Sequence, residues 1–200
     1  MYGQVGTWAL RAGRKAKKVL AWVGALILVA GLAVVAVKTA PLLTREPEAA
    51  GQGSDDLHLH GEVVSVADGD TLTIWAGAVN VKVRLLGIDA PEIAHFGNPD
   101  QCGGPEARTG LRELLPVGTE VTATTDARAD RTDRYGRTLA YVASANVPDV
   151  ALALIERGLA EAWIPEGEPE PGRWDAYRKA QDTAKRSSEG SWRACGVLGR

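Results

Sequence analysis

Val81, Val83 and Leu85 alternate with Lys82, Arg84 and Leu86. A period of two gathers one set on a single face only in a β-strand, so Arg84 points away from the Val81/Val83/Leu85 face. Two more strands precede this one, Val63 to Val66 and Thr71 to Trp75. They are joined by the tight turn Ala67-Asp68-Gly69-Asp70, and a second turn over Ala76–Asn80 leads into the third. Gly103-Gly104-Pro105 then opens a helix, since proline is tolerated in a first helical turn. Its apolar stripe is Ala107, Leu111, Leu114 and Leu115. Further strands are expected at Glu120–Thr124 and Arg137–Val142. A second helix is expected from Pro148 to Arg157, with Val147, Val150, Ala151, Leu154 and Ile155 on one side and Gly158 as a left-handed stop. A third, Arg173 to Ser187, would bury Trp174, Tyr177 and Ala184. Five short strands with a helix after the third and more helices behind them give an α+β, mainly β, class: a small five-stranded barrel decorated by three helices.

The part of the chain before this pattern obeys different rules. Val19 to Val37 is an unbroken run of 19 residues without a charged or polar side chain. As a helix it would reach roughly 28 Å, close to the hydrocarbon thickness of a bilayer. Arg11, Arg14, Lys15, Lys17 and Lys18 lie directly before it, so the positive-inside tendency keeps the N-terminus in the cytoplasm and exports the rest. The expected organisation is a basic cytoplasmic tail (1–18), a transmembrane signal anchor (19–37), a linker rich in Pro, Gly, Ser and acids (38–57) and a folded domain (58–200). A secreted form, cut near Lys38-Thr39-Ala40, is the other reading of the same run. Cys102 and Cys195 both lie beyond it, and export to an oxidising compartment favours a disulfide between them.

The charge balance narrows the function. Taking those five from the 23 basic residues leaves 18 against 25 acidic ones, a net −7 outside the N-terminal segment. That excludes binding nucleic acid through a broad basic surface. A polyanionic partner would need a local patch or a bound cation.

Asp68-Gly69-Asp70-Thr71 sets two carboxylates around a glycine, and Ile88-Asp89-Ala90-Pro91-Glu92 adds two more just past a strand end. By itself the first of these is ordinary turn chemistry. If strands two and three are antiparallel, however, both clusters meet at one edge and can share a hard cation held by oxygens. Arg84 lies among them, and the turn Asp133-Arg134-Tyr135-Gly136-Arg137 supplies a second guanidinium. Guanidinium groups fork onto phosphate oxygens, whereas an isolated strand arginine would only make a salt bridge. A cation, a carboxylate to activate water and two arginines are the parts that phosphodiester hydrolysis requires.

Three ordered motifs carry a resemblance. Val66-Ala67-Asp68-Gly69-Asp70-Thr71-Leu72, Val83-Arg84-Leu85-Leu86-Gly87-Ile88-Asp89-Ala90-Pro91-Glu92 and Thr132-Asp133-Arg134-Tyr135-Gly136-Arg137-Thr138-Leu139-Ala140-Tyr141 resemble the staphylococcal nuclease (thermonuclease) family, in a membrane-anchored or secreted bacterial member. Gly104 to Ala107 and Leu154 to Ala160 fit the family's later elements. The resemblance covers about residues 60–193 and implies an OB-type five-stranded barrel with three helices. It also implies calcium-dependent cleavage of single-stranded DNA and RNA at the 5′ P–O bond, leaving 3′-phosphates.

Carried over by position, Asp70 and Asp89 match the direct calcium ligands, and Ala90 a position that contributes its backbone carbonyl. Glu92 matches the proposed general base, Arg84 and Arg137 the phosphate-binding arginines, and Arg134 and Tyr135 a region against the nucleotide. Where the family's best-known member has two tyrosines lining the nucleotide pocket, Ala162-Trp163-Ile164-Pro165-Glu166 stands here. Trp163 is equally suited to base stacking and to the core. His58 and His60, two apart before strand one, read as a polar lead-in rather than a metal pair, and His95 as a loop residue. The expectation is a monomeric, calcium-dependent nuclease on the outer face of the cell membrane. Two other readings stay open: a non-catalytic OB-type nucleic-acid-binding module, and a structural calcium-binding surface protein.

Overall fold

The computed structural model describes residues 56–94, 97–196 and 198. The expected anchor (19–37), its basic flank, nearly all of the linker and His95 lie outside these residues. Among the described residues no helix is long and apolar enough to cross a membrane.

The strands β1 (His58–Val66), β2 (Thr71–Trp75), β3 (Asn80–Leu85), β5 (Glu120–Thr124) and β6 (Thr138–Ser144) close a barrel in the order β1-β2-β3-β6-β5. β1–β2, β2–β3, β1–β5 and β5–β6 pair antiparallel. β3 and β6 pair in parallel, Val83 with Thr138, Arg84 with Leu139 and Leu85 with Ala140. The expected five-stranded barrel is therefore present and fits the OB type. Two short strands, β4 (Ile88–Asp89) and β7 (Glu161–Ala162), form a separate antiparallel pair that the two-residue lengths hid from sequence patterning.

Helices α1 (Gly104–Leu114), α2 (Val150–Glu156) and α3 (Trp174–Ser187) stand close to the expected positions. A fourth, α4 (Ser191–Cys195), was not expected, because five residues show no period of their own. Pro105 sits in the first turn of α1, where its missing N–H costs nothing. α2 begins at Val150 rather than Pro148 because Asp149 caps it, its Oδ1 accepting from the N–H of Leu152 at 3.0 Å. Gly158, at φ +65°, ends it as expected.

Val63, Leu72, Ile74, Val83, Val121, Ala123 and Val142 fill the barrel, and Leu111, Leu115, Leu154, Ile155 and Tyr177 from the helices cover it, all of them buried. Removing one such leucine side chain costs about 2–5 kcal/mol. Tyr177 and Ala184 are buried as expected, whereas Trp174, in the first turn of α3, is only half-buried, a correction to its expected core position. Cys102 and Cys195 form the expected disulfide, with Cα atoms 5.9 Å apart across 93 residues of sequence. It links the residues just before α1 to the end of α4. Closing so long a loop is worth about 2–5 kcal/mol to a small domain.

Candidate active site

The turn between β1 and β2 is the first element of the site. The Ala67 N–H donates to the Thr71 carbonyl at 2.9 Å, and the Asp70 N–H to Asp68 Oδ1 at 3.1 Å. The backbone is thereby folded back by an aspartate of its own, as Asp does in turns. Gly69 packs so closely that a Cβ there would lie 2.6 Å from the Cβ atoms of both Ala90 and Ala107. Only glycine lets the turn sit against α1 and the segment after β4. That approach carries Asp70 to the opposite acidic cluster: the Ala90 N–H donates to Asp70 Oδ2 at 2.8 Å.

β3 contributes Arg84, directly across from Thr71 in the β2–β3 ladder. Its Nη1 lies 3.0 Å from Asp70 Oδ2 and donates to the Ile88 carbonyl at 2.8 Å; its Nη2 reaches Asp89 Oδ1 at 2.7 Å. Arg84 is buried and bridges the two aspartates. The antiparallel pairing of β2 with β3 thus brings the two acidic clusters together, as the spacing suggested.

Arg137 stands immediately before β6, which begins at Thr138, one residue later than expected. Its Nε pairs with Asp133 Oδ2 at 2.6 Å, while the N–H groups of Arg137 and Tyr135 both donate to Asp133 Oδ1 at 2.9 Å. Arg137 Nη1 donates to Thr71 Oγ1 at 3.2 Å, and Thr71 Oγ1 in turn donates to Asp70 Oδ1 at 3.0 Å. Arg137, Thr71, Asp70, Arg84 and Asp89 therefore form one continuous polar chain. Thr71 and Asp133 were not singled out from sequence. Their positions next to Asp70 and four residues before Arg137 were the available signals, but a threonine in a strand and an aspartate in a turn are commonplace.

Ala90 is buried. Glu92 is exposed, three residues beyond Asp89, and its backbone is held by Gln101. Tyr135 is exposed at the turn, flanked by Arg134 Cζ 4.8 Å and Arg137 Cζ 5.4 Å from its ring centroid, and Arg134 Nη2 donates to its hydroxyl at 2.7 Å. Trp163 is 41% exposed, so it is not a core residue. His58 and His60 belong to β1, each with Nδ1 3.0 Å from a threonine hydroxyl of β5 (Thr124 and Thr122).

The electrostatics of the aspartates depart from their ordinary values. Burial pushes the Asp70 carboxyl up to about 7; Arg84 opposes this, while Asp68 and Asp89 add to it. Burial likewise raises Asp89 against the pull of Arg84. Asp70 and Asp89 share the one buried guanidinium of Arg84, and Asp68 lies near enough to raise both. Such a donor set suits an oxygen-seeking divalent cation. Among the described residues no group of three His, Cys, Asp or Glu side chains is gathered for one ion. Asp70 and Asp89 would thus have to be completed by backbone carbonyl oxygen and water, the ligand set of an open and weak site.

Comparison with known proteins agrees with this arrangement. A protein of Arthroderma otae named probable endonuclease LCL3 is 31% identical over 184 residues, 76% of this chain and 64% of its own length. The probable endonuclease lcl3 of Penicillium rubens is 28% identical across 94% of this chain and 78% of its own length, and that of Coccidioides posadasii 32% identical across 68% and 51%. These relatives are fungal, and the chain spans about half to three quarters of their length. The family described as staphylococcal nuclease homologue matches residues 82–194, from β3 through α4. That match extends over more than half of the chain and takes in Arg84, Asp89, Arg137 and all the helices but the last residue of α4, and the chain belongs to the staphylococcal nuclease homologue family.

Proposed function

We propose that the protein is a calcium-dependent nuclease that hydrolyses phosphodiester bonds of single-stranded DNA and RNA to 3′-phosphate products. The observation that carries this reading is the unbroken polar chain Arg137–Thr71–Asp70–Arg84–Asp89. It sets two guanidinium groups beside one buried and one partly exposed carboxylate. Asp70, Asp89 and the Ala90 carbonyl would hold the calcium ion, which supplies charge neutralisation at the phosphate when bound. Arg84 and Arg137 bind the non-bridging phosphate oxygens and stabilise the charge that builds on them in the transition state. Glu92, exposed and three residues beyond Asp89, takes the proton of the attacking water. Arg137 also favours departure of the leaving oxygen. Arg134 and Tyr135 lie along the nucleotide, and the exposed face of Trp163 offers a stacking surface for a base. The relatives' naming as endonucleases supports the same reading.

The apolar run 19–37 and the disulfide support placement of the domain outside the cell membrane, either anchored or released. Protease added to intact cells should then remove the domain, and full protection would refute that placement. A fragment beginning at Asp56 should degrade denatured DNA with calcium present and stop when the ion is chelated. Binding without cleavage would overturn the enzymatic reading in favour of a nucleic-acid-binding module.

A further inference from the structure

The segment that follows Glu92 returns to it. The Gln101 side-chain Oε1 accepts from the Glu92 N–H at 2.8 Å, and the Gln101 N–H donates to the Glu92 carbonyl at 2.9 Å. The Ala94 N–H donates to Asp100 Oδ1 at 2.6 Å, tying the same loop once more at its base. Gly104 closes on the same peptide: a Cβ there would lie 2.4 Å from the Glu92 carbonyl oxygen. Residue 92 is thus gripped by residues 100–104 through its backbone, while its side chain stays exposed.

What holds residues 100–104 is not the barrel alone. Cys102, between Gln101 and the glycine pair, is joined to Cys195 at the end of α4. Gly103, at φ +92°, sits against Ser191 of the same helix, where a Cβ would be 2.4 Å from Ser191 Oγ and 3.5 Å from Pro91. α4 is in turn tied to the end of α2, the Ser191 N–H donating to the Gly158 carbonyl at 3.0 Å. A path of covalent and hydrogen bonds therefore runs from the helical layer to the backbone of Glu92, and Cys102 is exposed to reagents in solution.

We propose that Gln101 and the Cys102–Cys195 disulfide are the positioning elements for Glu92, so that the cleavage rate depends on the redox state of this bond. This rests on the reading of Glu92 as the base. A soluble dithiol would reduce the bond: two electrons and two protons pass to the cysteines, giving two thiols, and the dithiol becomes its own disulfide. The fold and the phosphate-binding arginines remain, but the segment that grips residue 92 loses its covalent tie. A general base displaced by about 1 Å loses rate by up to about 100-fold, while ground-state binding is little altered.

The test measures kcat and KM on denatured DNA with calcium for the oxidised protein, the dithiol-reduced protein, Gln101→Met, Gln101→Glu and Glu92→Gln, with circular dichroism to establish that each is folded at the assay temperature. Gln101→Met removes the acceptor for the Glu92 N–H at similar length, and Gln101→Glu keeps it. The proposal expects kcat to fall about 10-fold or more in the reduced protein and in Gln101→Met with KM nearly unchanged, and Gln101→Glu to recover most of the loss. The double variant Cys102→Ser/Cys195→Ser should be slow and indifferent to dithiol. Should the reduced protein unfold, the Gln101 pair decides alone. Full kcat in folded, reduced protein or in Gln101→Met would overturn the proposal while a slow Glu92→Gln leaves the base assignment intact. Full kcat in Glu92→Gln would overturn both.

Discussion

Two buried aspartates, one in the turn between β1 and β2 and one just after β5, have been treated in opposite ways by their surroundings. Asp70 is pushed up to about 7, because burial and two neighbouring carboxylates outweigh Arg84. Asp126 is also buried, yet its carboxyl is held below the usual range: the penalty of burial is overcome by the Gly172 N–H, the Tyr141 hydroxyl at 2.7 Å and the Arg128 N–H at 2.9 Å. Asp149 nearby is similarly occupied, capping α2 while binding Arg173 at 2.7 Å and the Tyr177 hydroxyl at 3.0 Å. Fixed donors satisfy a carboxylate whose work is to join a barrel to its helices. Where the donors fall short, the charge is left for something that arrives from outside. The difference separates architecture from chemistry among residues of one type.

The comparison can be broken most directly at Arg137. Arg137→Ala should lower kcat about 100- to 1,000-fold, as loss of a transition-state donor does, yet change stability by no more than about 1 kcal/mol, since its pair with Asp133 is partly exposed. Thermal melting alongside single-turnover cleavage checks both halves. A large loss of stability with activity preserved would reverse the roles of the two regions. Asp126→Asn should do the converse: a loss of about 1–3 kcal/mol in urea unfolding, from donors left without their charged acceptor, and near-normal kcat at a temperature where the variant is folded.

Acidity sharpens the contrast further. Between the ordinary value of 3.8 and about 7, folded Asp70 keeps a proton that the unfolded chain releases. Without divalent ions its contribution to stability therefore falls as pH rises through that window, and Asp70→Asn should flatten the slope. Asp126 has the opposite sign. Below 3.8 the unfolded chain takes up a proton that the folded one resists, so stability falls as pH drops through that range, and Asp126→Asn should flatten the acid limb. Unfolding series at several pH values in chelator measure both slopes, and equal slopes in the two variants would erase the distinction. The smallest effect belongs to Arg157, whose pair with Glu113 spans 3.7 Å in solvent: Arg157→Ala should shift stability by less than about 0.5 kcal/mol.

Legibility in the sequence follows the same division. Alternation at 81–86 and the turn at Asp68–Asp70 revealed β2, β3 and their shared edge, because periodicity and turn chemistry are local. The acidic clusters and Arg84 could be placed together from those facts alone. Arg137 could be named from its turn as a second guanidinium, but its place beside Arg84 could not be read, since the parallel seam between β3 and β6 that delivers it leaves no local mark. The network of Asp126, Tyr141 and Gly172 was invisible for a similar reason: three ordinary residues meet only after the barrel has closed and α3 has docked. Thr71, which joins Arg137 to Asp70, passed as a strand residue because its hydroxyl acquires a role only from what lies on both sides of it.

That parallel seam also sets a time at which the protein can begin to act. Every other pairing in the barrel is antiparallel, and β3 must wait for β6 across the whole of α1 and β5, as β1 must wait for β5. Contacts between such distant stretches of chain are slow to form, because the loop between them must first be closed at an entropic cost. Until Val83 meets Thr138, Arg84 and Arg137 belong to separate pieces of chain. An incompletely synthesised or incompletely folded copy would carry the acidic half of the site without its second arginine. On the proposed reading as a nuclease, such a copy lacks its complete cleavage site until β6 is in place.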